Sequence, residues 1–389
     1  MLDYPNLLDY IFLIMENLIS TKKLIEEFIT LVKIDSEDLE CSKIQKYLIR
    51  TFEKRFKVKV IKQKTMQSSN LLINVEGDKS LKPLLLSAHM DTVSPGKNIN
   101  PVISKDKITS DGKTILGADN KSAIAVFLQA LEILKKKKAK IRPLEILLTY
   151  GEEQGLLGAR NFDFSLLKSR EGLCFDSGGS FGRITIAAPW YASYTITFQG
   201  KASHAGIAPE KGINAIKSIA ELITKLPSGR LDKYTTANVG TIKGGRQNNI
   251  IPDTAIITGE LRSLKKENIN ILLEKIKDYS EKIAKKTRCK KNIKIKHEFS
   301  GFYFSLSDPL IKSVTETMKK MSVKPVFEKH NGGSDANIFN GHGIKTLNLS
   351  IGMQNVHTVN EYITIKDFVN ALRFLVIFLE SSRGVLKDA

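Results

Sequence analysis

The sequence predicts an α/β protein with a smaller α+β domain inserted into it, and three observations carry that prediction. Short apolar runs at 84–88, 144–149 and 172–175 read as strands buried on both faces, the pattern of parallel sheets. Each run delivers polar side chains to its end: His89 and Asp91, then Glu152 and Glu153, then Asp176. Between 189 and 300 the pattern changes to strand, helix, two strands, helix, strand, the β-α-β-β-α-β order of ferredoxin-like domains. At 389 residues the chain is too long for one typical core. The expected division is 1–188 and 301–389 for the α/β part, with 189–300 inserted between them.

The elements follow in order. From 21 to 56 apolar residues recur at three and four (Leu24, Phe28, Leu31, then Ile44, Leu48, Phe52), giving two amphipathic helices broken at Asp35-Ser36-Glu37. Strands at 58–61 and 70–75 and a turn at Gly77-Asp78 lead into the first buried run. Asp119 sits just before a helix of about 122–136, whose buried face carries Ala123, Val126, Phe127, Ala130, Leu131 and Leu134. In the insertion, strands at 194–198, 237–242, 255–262 and 293–297 frame helices at 213–226 and 267–286, with a loop at 200–206. From 308 the α/β pattern resumes with a helix to about 321 and a strand at 325–328. The segment Gly332-Gly333-Ser334-Asp335 follows, then a strand at 346–351 ending near His357 and a final helix from about 365.

Composition narrows the function classes. Hydrophobic residues at 42% and charged ones at 26% are ordinary for a soluble globular protein. A net charge of +19 raises the question of a polyanion partner. The lysines are spread along the chain, however, and the run at 135–138 ends an apolar helix, where cations suit the C-terminus. No helix-turn-helix, zinc-finger or RNA-binding signature occurs, so surface lysine is the expected origin of the charge and no nucleic acid is expected. Cys41, Cys174 and Cys289 are odd in number and far apart, pointing to a reduced, cytoplasmic compartment. Residues 2–19 carry Asp3, Asp9 and Glu16 and lack a basic start, so neither a signal peptide nor a membrane span is expected. They read as a surface helix or as an extension ahead of a start at Met15.

Residues i and i+2 of an extended segment share a face, so His89 and Asp91 can point the same way. They lie at the carboxyl end of a buried strand, where open α/β sheets carry their sites. A metal-bound imidazole that donates its other nitrogen to a carboxylate uses such a pair; a strand end followed by a turn is the plainer alternative. Among only 6 histidines, His89 and His357 both follow apolar strands beside acids. With Asp119, Glu153 and Asp176 they offer one imidazole per metal and enough carboxylates for two divalent ions. Such N/O donors suit zinc, with manganese and cobalt as alternatives. A carboxylate can bridge two ions about 3.5–4 Å apart. Adjacent Glu152 and Glu153 cannot both point along one direction, so one can bind metal while the other addresses a bound water.

Five segments then acquire a common meaning: Ser87-Ala88-His89-Met90-Asp91-Thr92, Leu116-Gly117-Ala118-Asp119-Asn120-Lys121, Gly151-Glu152-Glu153, Asp176-Ser177-Gly178-Gly179 and Val356-His357-Thr358-Val359-Asn360-Glu361. In this order they resemble the motif series of the M20 metallopeptidases, most of all the peptidase T (tripeptide aminopeptidase) branch, over about 21–378. The resemblance implies a zinc-peptidase-like catalytic domain, with a mixed, mainly parallel sheet flanked by helices, and makes the insertion a lid or dimerisation domain. It implies two divalent ions, with His89 and Asp176 on one, Glu153 and His357 on the other, and Asp119 bridging. Asp91 would orient His89, and Glu152 would be the general base toward a metal-bound water.

In the insertion, His204 would stabilise the oxyanion, in some family members from a partner subunit. Arg262 and Asn249 would hold the substrate carboxylate, and Gly333 and Ser334 would line the site. The implied activity is removal of the N-terminal residue from short peptides, tripeptides foremost. Hydrolysis of N-acyl or carbamoyl amino acids is the alternative within the family. The lid would either pair two chains or close within one subunit. One position departs: the branch commonly has a second Asp where this chain has Asn120. That residue keeps hydrogen-bonding capacity and removes a charge beside the bridge, so metal binding should survive with an altered affinity.

Overall fold

A computed structural model describes residues 19–381; both readings of the segment ahead of residue 19 lie outside the described residues. The chain divides into two compact units, one comprising Phe304–Glu328 and the described parts of Met1–Ile186 and Ser334–Ala389, the other Ala187–Tyr303 and Lys329–Gly333.

The first unit opens with α1 (Thr21–Val32), capped by the Ser20 side chain, and α2 (Ser42–Thr51). Then come β1 (Val60–Lys64), β2 (Ser69–Val75), β3 (Leu84–His89), the short hairpin β4 (Pro101–Ile103) and β5 (Lys107–Ser110), α3 (Ala118–Lys136), β6 (Leu144–Thr149), α4 (Leu157–Arg160), β7 (Glu171–Ser177) and β8 (Arg183–Ala188). The second unit holds β9 (Trp190–Gln199), α5 (Ala215–Ile223), β10 (Gly229–Arg230), β11 (Thr235–Gly244), β12 (Thr254–Ser263), α6 (Lys266–Thr287), β13 (Lys290–Phe299) and β14 (Phe302–Tyr303). The chain then adds α7 (Pro309–Lys320), β15 (Val326–Lys329), α8 (Asp335–Gly341), β16 (Lys345–Ser350), β17 (Met353–Gln354), β18 (Tyr362–Thr364) and α9 (Ile365–Ser381).

In the first unit the main sheet runs β1-β2-β6-β3-β7-β16-β8. Its centre, β6-β3-β7-β16, is parallel, and the flanking pairs are antiparallel. Every residue of β3 and β6 is buried, which is why both strands read as continuous apolar runs rather than alternating ones. Helix α3 packs against β3 and β7 and also against α1 and α9. Enclosed in this way, it buries a wider surface than the expected stripe, including Ile124, Ala125 and Leu128. Strand β8 and the β4–β5 hairpin have no counterpart in the sequence reading.

The second unit is an antiparallel sheet in the order β10-β11-β12-β9-β13. Ala192, Tyr194, Ile196 and Phe198 alternate along β9 and form a core with Ile219 and Leu222 of α5 and Leu273 and Ile276 of α6. The β-α-β-β-α-β order is therefore present, with two-residue β10 added at an edge. Lys329–Gly333, expected with the closing segment, belongs to this unit instead. The Lys329 ammonium lies over the rings of Tyr234 and Tyr303, and Gly333 abuts Phe299 so closely that a Cβ there would come within 2.2 Å of the ring.

Cys41, Cys174 and Cys289 are free and buried. Among the described residues no helix is long and apolar enough to cross a membrane.

Candidate active site

Parallel β6, β3 and β7 finish side by side. His89 pairs with Thr149, and the Ser87–Cys174 register brings Asp176 level with His89. The buried imidazole of His89 turns Nε2 toward two carboxylates, 3.0 Å from Asp119 Oδ1 and 3.3 Å from Asp176 Oδ1. His357, with φ of +64°, a conformation uncommon outside glycine, does the same on the other side. Its Nε2 is 2.8 Å from Glu153 Oε1 and 3.3 Å from Asp119 Oδ2. The two oxygens of Asp119 are thus divided between the two imidazoles. His89, Asp119 and Asp176 form one group of candidate ligand atoms within 4.8 Å of one another; Asp119, Glu153 and His357 form a second, and His89, Glu152 and Glu153 a third. The donor chemistry fits the implied pair of cations: two imidazoles at opposite ends, one carboxylate turned to both, and a further carboxylate for each.

The backbone around these groups is fixed by acids whose task the sequence did not reveal. Asp91 is fully buried, but its carboxylate does not make the close contact to His89. The His89 Nδ1 lies 2.9 Å from the Asp91 main-chain carbonyl and 3.5 Å from its carboxylate. An Nδ1–H donated to that carbonyl leaves the Nε2 lone pair for a cation. The Asp91 carboxylate instead accepts the main-chain N–H groups of Glu152 and Glu153, each at 3.1 Å. Glu361 accepts from Leu116 and Gly117 at 2.7 and 2.8 Å through one oxygen and from Asp119 at 3.0 Å through the other. Gly117 adopts φ of +73°, which glycine takes without steric cost, at the turn that presents Asp119. Asn120 donates its side-chain N–H to Asp176 Oδ1 at 2.7 Å, a bond an ionised aspartate in its place could not make.

Concentrated charge shifts the site's protonation. Burial alone would lower the His89 pKa, but the carboxylates of Asp119, Asp176 and Asp91 outweigh it and hold the group well above its ordinary value. Hydrogen bonds to Asp119 and Glu153 raise His357 to about 10. Burial, then the charge of Asp176, pushes Glu152 well above the usual carboxylate range. Burial likewise raises Asp176 to about 7. Nearby Asp335, whose carboxylate accepts the Thr149 hydroxyl at 2.5 Å, is raised by burial to about 6.

The expected substrate-binding residues do not form one group. In the second unit, His204 and Asn249 lie on adjoining loops, with the Ala205 N–H donating to the Asn249 carbonyl at 2.9 Å. These loops adjoin the Gln199 end of β9. Arg262 pairs with Tyr191 at the opposite end, its guanidinium carbon 4.5 Å from the Tyr191 ring centroid. Gly333 reaches that same end through Phe299, whose ring is 5.2 Å from that of Tyr191. Eight residues of strand separate the two places, about 25 Å at the rise of a β-strand. Ser334, in the first unit, is buried and caps α8; its hydroxyl also accepts from Asn348, whose side-chain oxygen accepts the Asp176 N–H. Ser334 thus supports a candidate ligand through one intermediary. Sequence clues to the overlooked Glu361 and Asp335 existed only in their positions within the His357–Glu361 and Gly332–Asp335 segments.

Residues 189–288 match the peptidase dimerisation domain family, and residues 70–193 match peptidase family M28. The chain is 36% identical over 370 residues to YqjE of Bacillus subtilis, an uncharacterized protein, with 94% of this chain and 100% of that one covered. It is similar to the crystal structure of aminopeptidase PepT from Bacillus cereus, with a TM-score of 0.86 and 36% identity over 93% of this chain and 99% of that one. The chain belongs to the M20 metallopeptidases, in their peptidase T-like branch. A tripeptidase from Staphylococcus aureus gives a TM-score of 0.86 and 30% identity, covering 93% of this chain and 98% of that one. This M20 metallopeptidase is accordingly a hydrolase, and its inserted unit is the family's dimerisation domain. The expected fold class, a mixed and mainly parallel catalytic sheet with an inserted α+β domain, is the fold observed.

Proposed function

We propose that this M20 metallopeptidase is a cytoplasmic di-metal aminopeptidase that removes the N-terminal residue of short peptides, tripeptides foremost. The division of Asp119 between His89 and His357, with Glu152 in the same cluster, carries the reading. His89 and Asp176 would hold one divalent cation and Glu153 and His357 the other, with Asp119 shared; zinc suits these donors, manganese and cobalt being the alternatives. When bound, the cations supply Lewis acidity that polarises the scissile carbonyl and acidifies a water. Glu152 takes a proton from the attacking water on a carboxylate oxygen and delivers it to the amine nitrogen as the peptide bond breaks. Burial, and then the charge of Asp176, raises its proton affinity above that of an ordinary carboxylate. Asp91 keeps this base and the ligand Glu153 at a fixed spacing through their main-chain N–H groups. The likeness to an aminopeptidase and a tripeptidase supports the choice of short peptides.

His204 would stabilise the oxyanion, while Arg262 and Asn249 would bind the substrate carboxylate and Gly333 would line the site. An extended tripeptide spans about 10 Å, far less than the distance between the two ends of β9. His204 and Asn249 of one chain therefore cannot share a short substrate with Arg262 and Gly333 of the same chain. This supports a homodimer in which the two pairs come from different chains.

The test is removal of divalent ions by chelation, then restoration with zinc, manganese or cobalt, assayed on trialanine, dialanine and N-acetylalanine. Metal-dependent release of alanine from the amino end of trialanine is expected. Turnover of N-acetylalanine alone would replace the peptide reading with the deacylase alternative. Reloaded protein inert on all three would remove the proposed activity.

A further inference from the structure

The Arg262 guanidinium is held in one orientation by groups of its own unit. Glu260 stands two residues earlier on β12 and so shares its face. Its oxygens accept from Arg262 Nε at 3.0 Å and from Nη2 at 3.2 Å. Tyr191, directly across on β9, lies under the guanidinium. A guanidinium offers two edges that a carboxylate can take as a fork, Nε with Nη2 and Nη1 with Nη2. Glu260 occupies the first. On the second, Nη1 reaches the Asn331 carbonyl at 3.5 Å, the outer limit of a hydrogen bond, and among the described residues no carboxylate sits there.

We infer that Glu260 is a positioning residue that sets substrate selection, by occupying one edge of Arg262 and presenting the Nη1–Nη2 edge to the terminal carboxylate of a peptide. The inference rests on the reading of Arg262 as the carboxylate-binding group. Glu260 and Tyr191 together fix the plane of the fork and leave one edge unfilled. The resulting Glu260–Arg262 pair carries no net charge, so it selects a carboxylate by directional hydrogen bonding more than by field strength.

Steady-state kinetics on the metal-loaded protein with trialanine and trialanine amide test this. Glu260→Gln loses one acceptor and sets an amide N–H against the guanidinium, so KM for trialanine should rise about tenfold with kcat little changed, the signature of lost uniform binding. KM for the amide should stay at its wild-type value, which also reports an intact fold. Glu260→Asp keeps a carboxylate and should recover part of the preference for the acid. Arg262→Met separates the two ideas. If it abolishes the acid-over-amide preference while Glu260→Gln leaves that preference unchanged, the role of Glu260 is wrong and that of Arg262 stands. If Arg262→Met also leaves the preference unchanged, both fall.

Discussion

The first unit's candidate metal-site residues and the second unit's proposed substrate residues are built on different principles. His89 and Asp176 lie on adjacent parallel strands and Glu152 just beyond the end of the next, so one end of the sheet delivers them to one place, and Asp119 and His357 complete the cluster within a few ångströms. Arg262 lies on β12 of an antiparallel sheet with Gly333 packed near the same end, whereas His204 and Asn249 lie in loops at the other end. Parallel strands connected by crossovers place every carboxyl end on the same side, whereas antiparallel neighbours alternate. The candidate ligands can therefore gather on the first sheet alone, while on the proposed reading the second unit's residues meet on a short substrate only when pooled from two copies.

The strongest blow to this contrast falls on Glu152. Its replacement by Ala should lower kcat about 10³-fold while bound metal, measured by elemental analysis, stays near the wild-type level. Loss of metal together with retained turnover would make Glu152 a ligand rather than the base. Next in size is complementation. His204→Ala and Arg262→Ala chains should each be severely impaired alone. Mixed and allowed to exchange, they should regain about a quarter of wild-type activity, since half the dimers are mixed and each has one intact site. No recovery, despite proven exchange, would return both pairs to a single chain.

A smaller effect is expected at Glu361. Glu361→Gln keeps one acceptor oxygen but sets an amide N–H against the main-chain donors on the other side, either Asp119 or Leu116 and Gly117, and metal affinity by competitive chelation should fall about tenfold. The smallest effect concerns pH. His357 is raised from its ordinary value to about 10 by Asp119 and Glu153, so its ion pairs stabilise the cation-free fold fully below about pH 6.5. That contribution disappears as pH rises through about 10. The melting temperature of chelated protein should therefore fall over this interval more steeply than that of His357→Asn. Parallel curves would deny His357 the pairing.

Much of the first unit is legible in the sequence because burial on both faces leaves a plain mark. Runs such as 84–88 can hardly be anything but inner strands, and polar residues at their ends stand out against them. The insertion's order is readable for a similar reason, since helices with one apolar face alternate with strands of period two. What escapes reading is hydrogen bonding to main-chain groups, which have no letter in the sequence. Asp91 invites a bond to His89 by spacing alone, yet its oxygens meet the N–H groups of a turn 61 residues away. Glu361 bonds across 242 to 245 residues, and no local pattern announces it. Lys329–Gly333 changes unit because of tyrosine and phenylalanine rings far off in the chain. Strand β8 is hidden because glycine and arginine interrupt its approach and its apolar stretch is short.

Asp91 has one further consequence. A chain weakened only at a candidate ligand such as His357 should suffer a deficit of occupancy, which an abundant supply of cation refills by mass action. Asp91 holds the main chain of the proposed base Glu152 on one carboxylate oxygen and that of the candidate ligand Glu153 on the other, so its loss should let both drift at once. Abundant cation then repopulates a centre whose proton acceptor no longer faces it. On the proposed reading, then, added cation does not restore a chain altered at Asp91, although that side chain itself is not among the candidate ligands.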